Sequence, residues 1–377
     1  MTLYERWLRA AAFRLDPETA HELALGLLSV AGRTAPLRAL ISRLYGFEHP
    51  SLKTTVAGLD FPNPVGLAAG FDKDCRAVPA LCAAGFGFLE VGTITLRAQD
   101  GNPRPRLFRF PSCEGLVNRM GFNNEGSEAA AARLSRLKKP LVPVGVNLGL
   151  NADVPAEKAP AEYALAFSRL YPYGDYFTLN VSCPNQLGLR RLQEKLRLER
   201  ILLALKQLNR SAKPVFVKLS PDIEPAELEG LIPLIMDQAS GVVCSNTTLS
   251  RDEAALGAGG YWGGSYCASL PEEIVTTRGG LSGAPLRSLS TKMIREVYRL
   301  SAGKLPIIAG GGVFSAEDAY EKIRAGASLV QVYTGLVYRG FGLVPEIKQG
   351  LARLLIDHNL SRIGEAVGRS HVTVAQA

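Results

Sequence analysis

Eight short apolar runs, each finishing in a polar or glycine-rich end and separated by helix-like segments, constrain this chain more than any other feature. They are PVGLAAG from residue 64, GFLEVGT from 87, LVPVGVNLG from 141 and YFTLNVS from 176. PVFVKLS from 214, GVVCSNT from 241, PIIAGGG from 306 and LVQVYTG from 329 complete the set. Each is too short for a typical helix and rich in Val, Ile or Leu, the pattern of a strand buried on both faces. Helical patterns such as RLERILLALKQLN and SAEDAYEKIRAGA lie between them; in the second, Ser315 suits an N-cap and Gly326 the C-cap region. Eight strands alternating with helices close most simply into a (β/α)8 TIM barrel, an α/β fold. An open doubly wound sheet is the alternative, but it more often carries an early GxGxxG fingerprint, and none follows the first run.

The run ends place chemistry. Lys73 follows the first run, and Thr93, Asn147, Asn180, Lys218 and Asn246 finish the next five. Gly311 with Gly312, and Tyr333 with Thr334, finish the last two. Strand C-termini form the active-site face of such barrels, so these residues are expected to converge on one mouth. Two connections, 94–140 and 248–280, are too long for simple βα units and read as lids or substrate walls. Residues 1–46 read as short amphipathic helices: Asp16-Pro17 starts one, Leu23, Leu27 and Leu28 share a face, and Gly46 closes the last.

Composition excludes several classes. At 47% hydrophobic and 21% charged residues the 377-residue chain is ordinary globular protein. Its net charge of +8 is scattered, without a basic run interleaved with aromatics, so no nucleic-acid partner is expected. Six cysteines form no CxxC pair and only four histidines are present, which argues against a metal site and against a disulfide framework. Charges interrupt the N-terminal MTLYERWLRAAAFRLDP, which is therefore no secretory signal, and no apolar run of about 18 residues spans a membrane.

Each candidate site also has an ordinary reading. Gly310 to Gly312 could be a tight turn, but in a barrel their N–H groups, followed by a helix start, suit a phosphate. Lys73 and Lys218 could be snorkelling side chains; pointing inward together they need an anion. Asn118, Asn123, Asn147, Asn180, Asn185 and Asn246 are singly ordinary turn residues, yet as a set they offer paired donors and acceptors for a small planar imide or amide ring. Cys183, just past a strand end and flanked by Ser182 and Pro184, fits a base acting on a C–H bond, since no His accompanies it.

The motifs GLAAGFDKD, GFLEVGTIT, GNPRPRLFR, NRMGFNNEG, GVNLG, LNVSCPNQLGLR, VKLSPD, SNTT, GGLSGAPL, AGGGV and AGASLVQVYTGL occur in this order. Together they resemble the dihydroorotate dehydrogenase family over roughly residues 1–345. FRLDPETAHELAL and GNPRPRLFR resemble its membrane-associated, quinone-reducing class (class 2). The resemblance implies FMN as cofactor, held by Ala69, Gly70, Lys73, Thr93, Asn147, Asn180, Lys218, Ser245, Gly283, Gly312, Tyr333 and Thr334. It implies dihydroorotate contacts at Lys73, Asn118, Arg119, Met120, Gly121, Phe122, Asn180, Asn185, Asn246 and Thr247. His21 and Arg109 match positions lining the quinone entrance. Residues 1–46 then form a helical membrane and quinone-access region and 47–377 the FMN-binding catalytic barrel, on the cytoplasmic side of the cell membrane. Three departures stand out: Cys183 occupies a position where the quinone-reducing class usually has serine, Ser245 replaces a usual threonine, and the 248–280 connection is longer than usual.

The implied reaction is oxidation of (S)-dihydroorotate to orotate in pyrimidine biosynthesis. Cys183 takes the C5 proton as a hydride leaves C6 toward the flavin, the lysines offset developing charge, and a membrane quinone receives the electrons. Trp7, Leu8 and Phe13 are expected to dock shallowly in the membrane, with Arg6, Arg9 and Arg14 at the headgroups. The same oxidation with a soluble acceptor such as fumarate or NAD, which a cysteine suits, is one alternative. A non-catalytic FMN-binding barrel is the other.

Overall fold

The computed structural model describes residues 4–138, 140–182, 192–256 and 269–371, with the backbone of Gly260–Trp262 and Ser265–Cys267. All eight apolar runs are strands: β1 (Val65–Leu67), β2 (Phe88–Ile94), β3 (Val144–Leu148), β4 (Tyr176–Asn180), β5 (Val215–Leu219), β6 (Gly241–Cys244), β7 (Ile307–Ala309) and β8 (Leu329–Val332). They pair in parallel in chain order, and β8 closes onto β1 with Val330 opposite Val65. Closure removes both sheet edges and puts all eight strand C-termini on one rim.

The other end of the barrel is sealed by size complementarity. Phe88, Tyr176 and Phe216 fill the interior, and Val243, Ile308 and Leu329 complete the layer. A small antiparallel hairpin, Thr54–Val56 with Leu59–Phe61, covers it through Val56 and Phe61. Glycines face the rings: a Cβ on Gly241 would lie 2.5 Å from the Phe216 ring, and one on Gly66 or Gly145 would enter the Phe88 or Tyr176 ring. The runs were readable as strands because burial leaves most positions on both faces apolar, with Glu90 and Gln331 among the buried polar exceptions.

The two long connections do more than cover the mouth. Gly115–Asn118, from the first, pairs antiparallel with Leu107–Phe110 on one side and with Gly280–Gly283, at the end of the second, on the other. The result is a three-stranded sheet over the rim with Gly115–Asn118 in the middle. It has its own core, including Leu116, Leu281, Phe314 and Tyr338.

The N-terminal helices form as expected. The Asp16 carboxylate accepts from the N–H groups of Glu18 (3.1 Å) and Thr19 (3.0 Å) and starts the helix Pro17–Arg33. The next helix, Ala35–Tyr45, ends at Gly46, whose N–H donates to Ser42 O. Leu23 and Leu27 share an exposed face, but Leu28 turns inward and packs against the barrel core. Val30, Leu37, Leu40 and Leu44 extend the exposed apolar surface over both helices. Among the described residues no single helix is long and apolar enough to cross a membrane; these two, bent by 114°, meet that length and composition only together.

Adding one methyl inside the barrel should be costly, because the layer has no room for it. Gly145→Ala is expected to lose about 1–3 kcal/mol by overpacking, whereas Gly230→Ala, in a helix with open space at the Cβ, should gain about 0.5–1 kcal/mol. Urea unfolding of the two variants checks the contrast, and equal effects would show that the glycines are not set by the aromatic layer.

Candidate active site

The strand C-termini open into a cleft of about 1360 Å³, part of it open to solvent. Of the residues expected to hold a cofactor, Ala69, Gly70, Lys73, Thr93, Asn180, Lys218, Ser245, Gly283, Gly312, Tyr333 and Thr334 line it. Of those expected to hold a substrate, Lys73, Asn118, Met120, Gly121, Phe122, Asn180, Asn246 and Thr247 do. Strand register explains part of this convergence: Asn180 at the end of β4 lies opposite Lys218 on β5.

The polar ends form a directed hydrogen-bond chain. Thr93 Oγ1 donates to Asn147 Oδ1 (2.6 Å) and accepts from Asn180 Nδ2 (3.1 Å). Asn246 Nδ2 donates to Asn180 Oδ1 (3.2 Å) and to Ser182 Oγ (3.0 Å). At its inner end Asn147 Nδ2 donates to Glu90 Oε1 (2.7 Å), and Gln331 Nε2 donates to Glu90 Oε2 (2.8 Å). The sequence reading missed Glu90, Gln331 and the hydroxyl of Ser182. The available signal was the acid in the middle of GFLEVGT, a charge that an all-apolar strand has to pair.

Three expected contacts fall elsewhere. Asn147 is fully buried behind Thr93, between that hydroxyl and Glu90, and does not line the cleft. The Arg119 side chain points away, donating to Pro105 O (2.9 Å) and stacking 4.9 Å from the Phe108 ring, so only its backbone belongs to the rim. Arg109 ties the rim sheet to the N-terminal segment instead of lining the cleft: it donates to Ala12 O (3.1 Å) and to Leu15 O and sits 4.5 Å over the Phe13 ring. Asn123 is likewise outside the lining, with Oδ1 buried and unpartnered. Cys183 and Asn185 lie outside the described residues. Among the described cysteines, burial pushes Cys82 and Cys244 up to about 12 and raises Cys75 as well, so these thiols are inert at neutral pH.

His21 does line the cleft, together with Glu18 and Glu22 of the same helix. Its ring meets Phe71 edge-on at 5.1 Å. Burial, then the neighbouring Lys73 charge, lowers the imidazole to about 4. Burial also lowers the Lys73 ammonium, against the pull of Glu22, Asp74 and Glu18. Glu18 was not foreseen: Arg106 donates to it from Nη2 (2.7 Å) and Nε, and Arg104 from Nη2 (3.0 Å). Burial raises the Glu18 carboxyl, but these guanidinium bonds outweigh it and leave it below the usual carboxylate range.

Several features suit a planar, phosphorylated cofactor. Ser245 Oγ is buried and unpartnered on the cleft wall. Gly311 (φ +98°) and Gly312 (φ +73°) adopt left-handed conformations and line the cleft, and neither N–H has a partner among the described residues. Gly283 (φ +98°) presses against Glu114, where a side chain has no space.

A parallel barrel with amides, hydroxyls, two lysines and a phosphate-type glycine run at one rim is a barrel enzyme of the cofactor-binding kind. The sequence profile described as dihydroorotate dehydrogenase matches residues 51–355. A Synechococcus protein (strain JA-2-3B'a(2-13)) named dihydroorotate dehydrogenase (quinone) is 45% identical over 362 residues, 94% of each chain. One from Anaeromyxobacter dehalogenans (strain 2CP-C) with the same name is 46% identical over 370 residues, covering 97% of this chain and 96% of its own. The crystal structure of the Eimeria tenella enzyme with ferulenol superposes with a TM-score of 0.82 at 32% identity, over 95% of this chain and 96% of that one. The chain belongs to the dihydroorotate dehydrogenase family.

Burial of the His21 imidazole makes stability depend on pH. Between about 4 and the ordinary value of 6.5 the unfolded chain holds more protons at this position than the folded one, so stability rises with pH across that window and is lost as pH falls through it. Urea unfolding at pH 4.5 and 7 should show a smaller pH dependence in His21→Gln than in the wild type. An imidazole NMR signal that titrates near 6.5 would contradict the burial argument.

Proposed function

We propose that this chain oxidises (S)-dihydroorotate to orotate in pyrimidine biosynthesis, with FMN as cofactor and a membrane quinone as electron acceptor. The observation that carries the reading is the shared wall of one cleft. Amides, hydroxyls and lysines from the barrel strands form one side, and Glu18, His21 and Glu22 of the N-terminal helix the other. A soluble acceptor has no need of an entrance built from an amphipathic helix. A non-catalytic barrel has no need of a directed amide chain.

The residues present fit FMN. The N–H groups of Gly311 and Gly312 suit its phosphate, and Ser245 Oγ, Thr93, Lys73 and Lys218 suit polar edges of the ring. Bound there, FMN supplies the hydride acceptor and two-electron carrier. The chain contributes orientation and charge. Asn118, Asn246 and Thr247 hold the substrate ring, and Asn180, fixed by Thr93 and Asn246, cannot rotate away. Lys73 and Lys218 balance anionic charge on substrate and cofactor.

Cys183 removes the C5 proton at Sγ. The support is its place in the chain, directly after Ser182, whose hydroxyl accepts from Asn246 at the mouth. A positioned base is worth about 10²–10⁴-fold. A free thiol titrates near ~8.5, far below a serine hydroxyl, so the cysteine holds more of its active form at neutral pH.

Residues 1–46 act as the quinone-access region, and the barrel from 47 onward as the catalytic part. The membrane-facing surface is the exposed row of Leu23, Leu27, Val30, Leu37, Leu40 and Leu44, with Trp7 and Leu8 beside the first helix. Phe13 is withdrawn from it, packed between Arg109 and Tyr338, and Arg9 donates to Tyr338 O (3.2 Å). Such a surface suits peripheral attachment to the cytoplasmic face of the cell membrane.

Anaerobic addition of dihydroorotate to the purified protein should bleach the visible flavin band, and quinone should restore it. A flavin that stays oxidised would sink the substrate assignment; recovery with fumarate or NAD but not quinone would sink the acceptor. The bleaching rate should rise with pH through a thiol titration, and Cys183→Ser should move that rise to higher pH. Identical profiles would remove Cys183 from the base role. Deleting residues 1–46 should abolish quinone reduction while sparing a small soluble dye, and loss of both would make the helices purely structural.

A further inference from the structure

Beneath the glycine run lies a lysine that no part of the reaction above uses. Lys322, on the helix Ala316–Arg324, is fully buried. Its Nζ reaches Ser290 Oγ (3.1 Å), Thr291 Oγ1 (3.1 Å) and Arg287 O (3.5 Å), all on the helix Arg287–Leu300. The two hydroxyls have committed their hydrogens elsewhere. Thr291 Oγ1 donates to Arg287 O (2.9 Å), and Ser290 Oγ donates to Gly310 O. All three groups therefore offer only lone pairs to Nζ. Three donors meet three acceptors, which an ammonium satisfies and a neutral amine, with two hydrogens, does not. Burial lowers this ammonium to about 7, and Glu321 and then Asp318 oppose that shift.

The Ser290 bond has a geometric consequence at the cleft. Gly310 O and the Gly311 N–H belong to one planar peptide, which is trans, so they point in opposite directions. Pinning the carbonyl on Ser290 turns the Gly311 N–H away from the helix, toward the cleft that Gly310, Gly311 and Gly312 line. Packing enforces the same placement: a Cβ on Gly311 would lie 3.1 Å from Ser290 Cβ, and one on Gly312 2.6 Å from Arg287 Cβ. On the far side of the loop Asp318 pairs with Arg287 (2.8 Å) and accepts from the Phe314 N–H (2.9 Å). A carbonyl that accepts from a hydroxyl, itself accepting from an ammonium, also leaves its peptide N–H a stronger donor.

We propose that Lys322 and Ser290 are positioning residues for cofactor phosphate: a buried Lys322–Ser290–Gly310 relay aims and strengthens the Gly311 N–H that grips the phosphate, without touching the ligand. The inference rests on the FMN reading given above.

The test separates phosphate from ring. Flavin-stripped full-length protein is titrated with FMN and with riboflavin, which has the ring but no phosphate, and quenching of flavin fluorescence gives each affinity. Ser290→Ala and Lys322→Met should each weaken FMN about tenfold, the scale of one charge-assisted hydrogen bond, and change riboflavin by less than about twofold. The double variant should lose no more than the larger single loss, because both act on one peptide. Ser290→Ala removes a single oxygen and carries the test alone if Lys322→Met does not fold. Equal losses for FMN and riboflavin, unchanged FMN affinity, or additive losses would overturn the relay. A wild-type chain that binds neither flavin would remove the FMN reading and this inference with it, whereas a wild type that binds FMN beside an unaffected Ser290→Ala removes the inference alone.

Discussion

The carboxylate of Glu90, buried inside the barrel on β2, is the group on which the order of the mouth depends. An acid at that depth costs several kcal/mol unless its oxygens are bonded. Here Asn147 and Gln331 take one oxygen each, with Tyr176 OH at 3.5 Å from the second. Because Asn147 must present its NH2 to Glu90, its carbonyl oxygen must face Thr93. That choice turns the Thr93 hydroxyl into a donor inward and an acceptor outward, and so sets Asn180, then Asn246, then Ser182. A single buried charge in this way gives direction to five side chains on four strands and the loops that follow them. The amides at the rim are aimed before any ligand arrives, which is what orientation without reorganisation requires.

A second buried charge joins the catalytic barrel to the helices that precede it. Glu18 receives both Arg106 and Arg104 from the first long connection, and Arg106 also donates to the carbonyls of Asp100 (2.6 Å) and Asn102 (2.8 Å). The loop folds around a guanidinium whose counter-charge lies on another element, so the helix docks where that charge is and nowhere else. Arg109 repeats the theme by gripping three carbonyls at Ala12, Phe13 and Leu15. With the helix held this way, His21 stays neutral and adds no positive charge of its own beside Lys73.

These two charge systems and the glycine run lie at different depths of one cleft. Glu90 organises its floor, Glu18 its entrance, and Lys322 the backing of the loop at its far end. Glu90 and Lys322 are buried ionisable side chains placed behind the residues that line the cleft, whereas Glu18, equally buried, is part of its wall. The facing residues themselves are mostly neutral amides, hydroxyls and glycines, which suits a site whose chemistry is carried by a bound cofactor and whose own task is to orient it.

Local signals made most of this legible in advance. The eight strands were readable because burial on both faces leaves a continuous apolar run, and the strand ends because the barrel rim is the one place where a run turns polar. Asp16-Pro17 and Ser315 announced helix starts through capping chemistry that depends only on adjacent residues. Side-chain direction was a different matter. Asn147 looked like its neighbours in sequence, yet it turns to Glu90 because that carboxylate had to be paired. Arg119 and Arg109 belong to ligand-contact motifs, yet their guanidiniums bind carbonyls outside the cleft. The Glu18 bond to Arg106 spans 88 positions, and the rim sheet joins Asn118 to Gly280. The sequence by itself determined which elements form and which residues end them, because those depend on patterns a few residues long. Only the tertiary structure decided which of those residues face the ligand and which hold the others in place, because a buried polar group takes its direction from a partner that chain closure brings near.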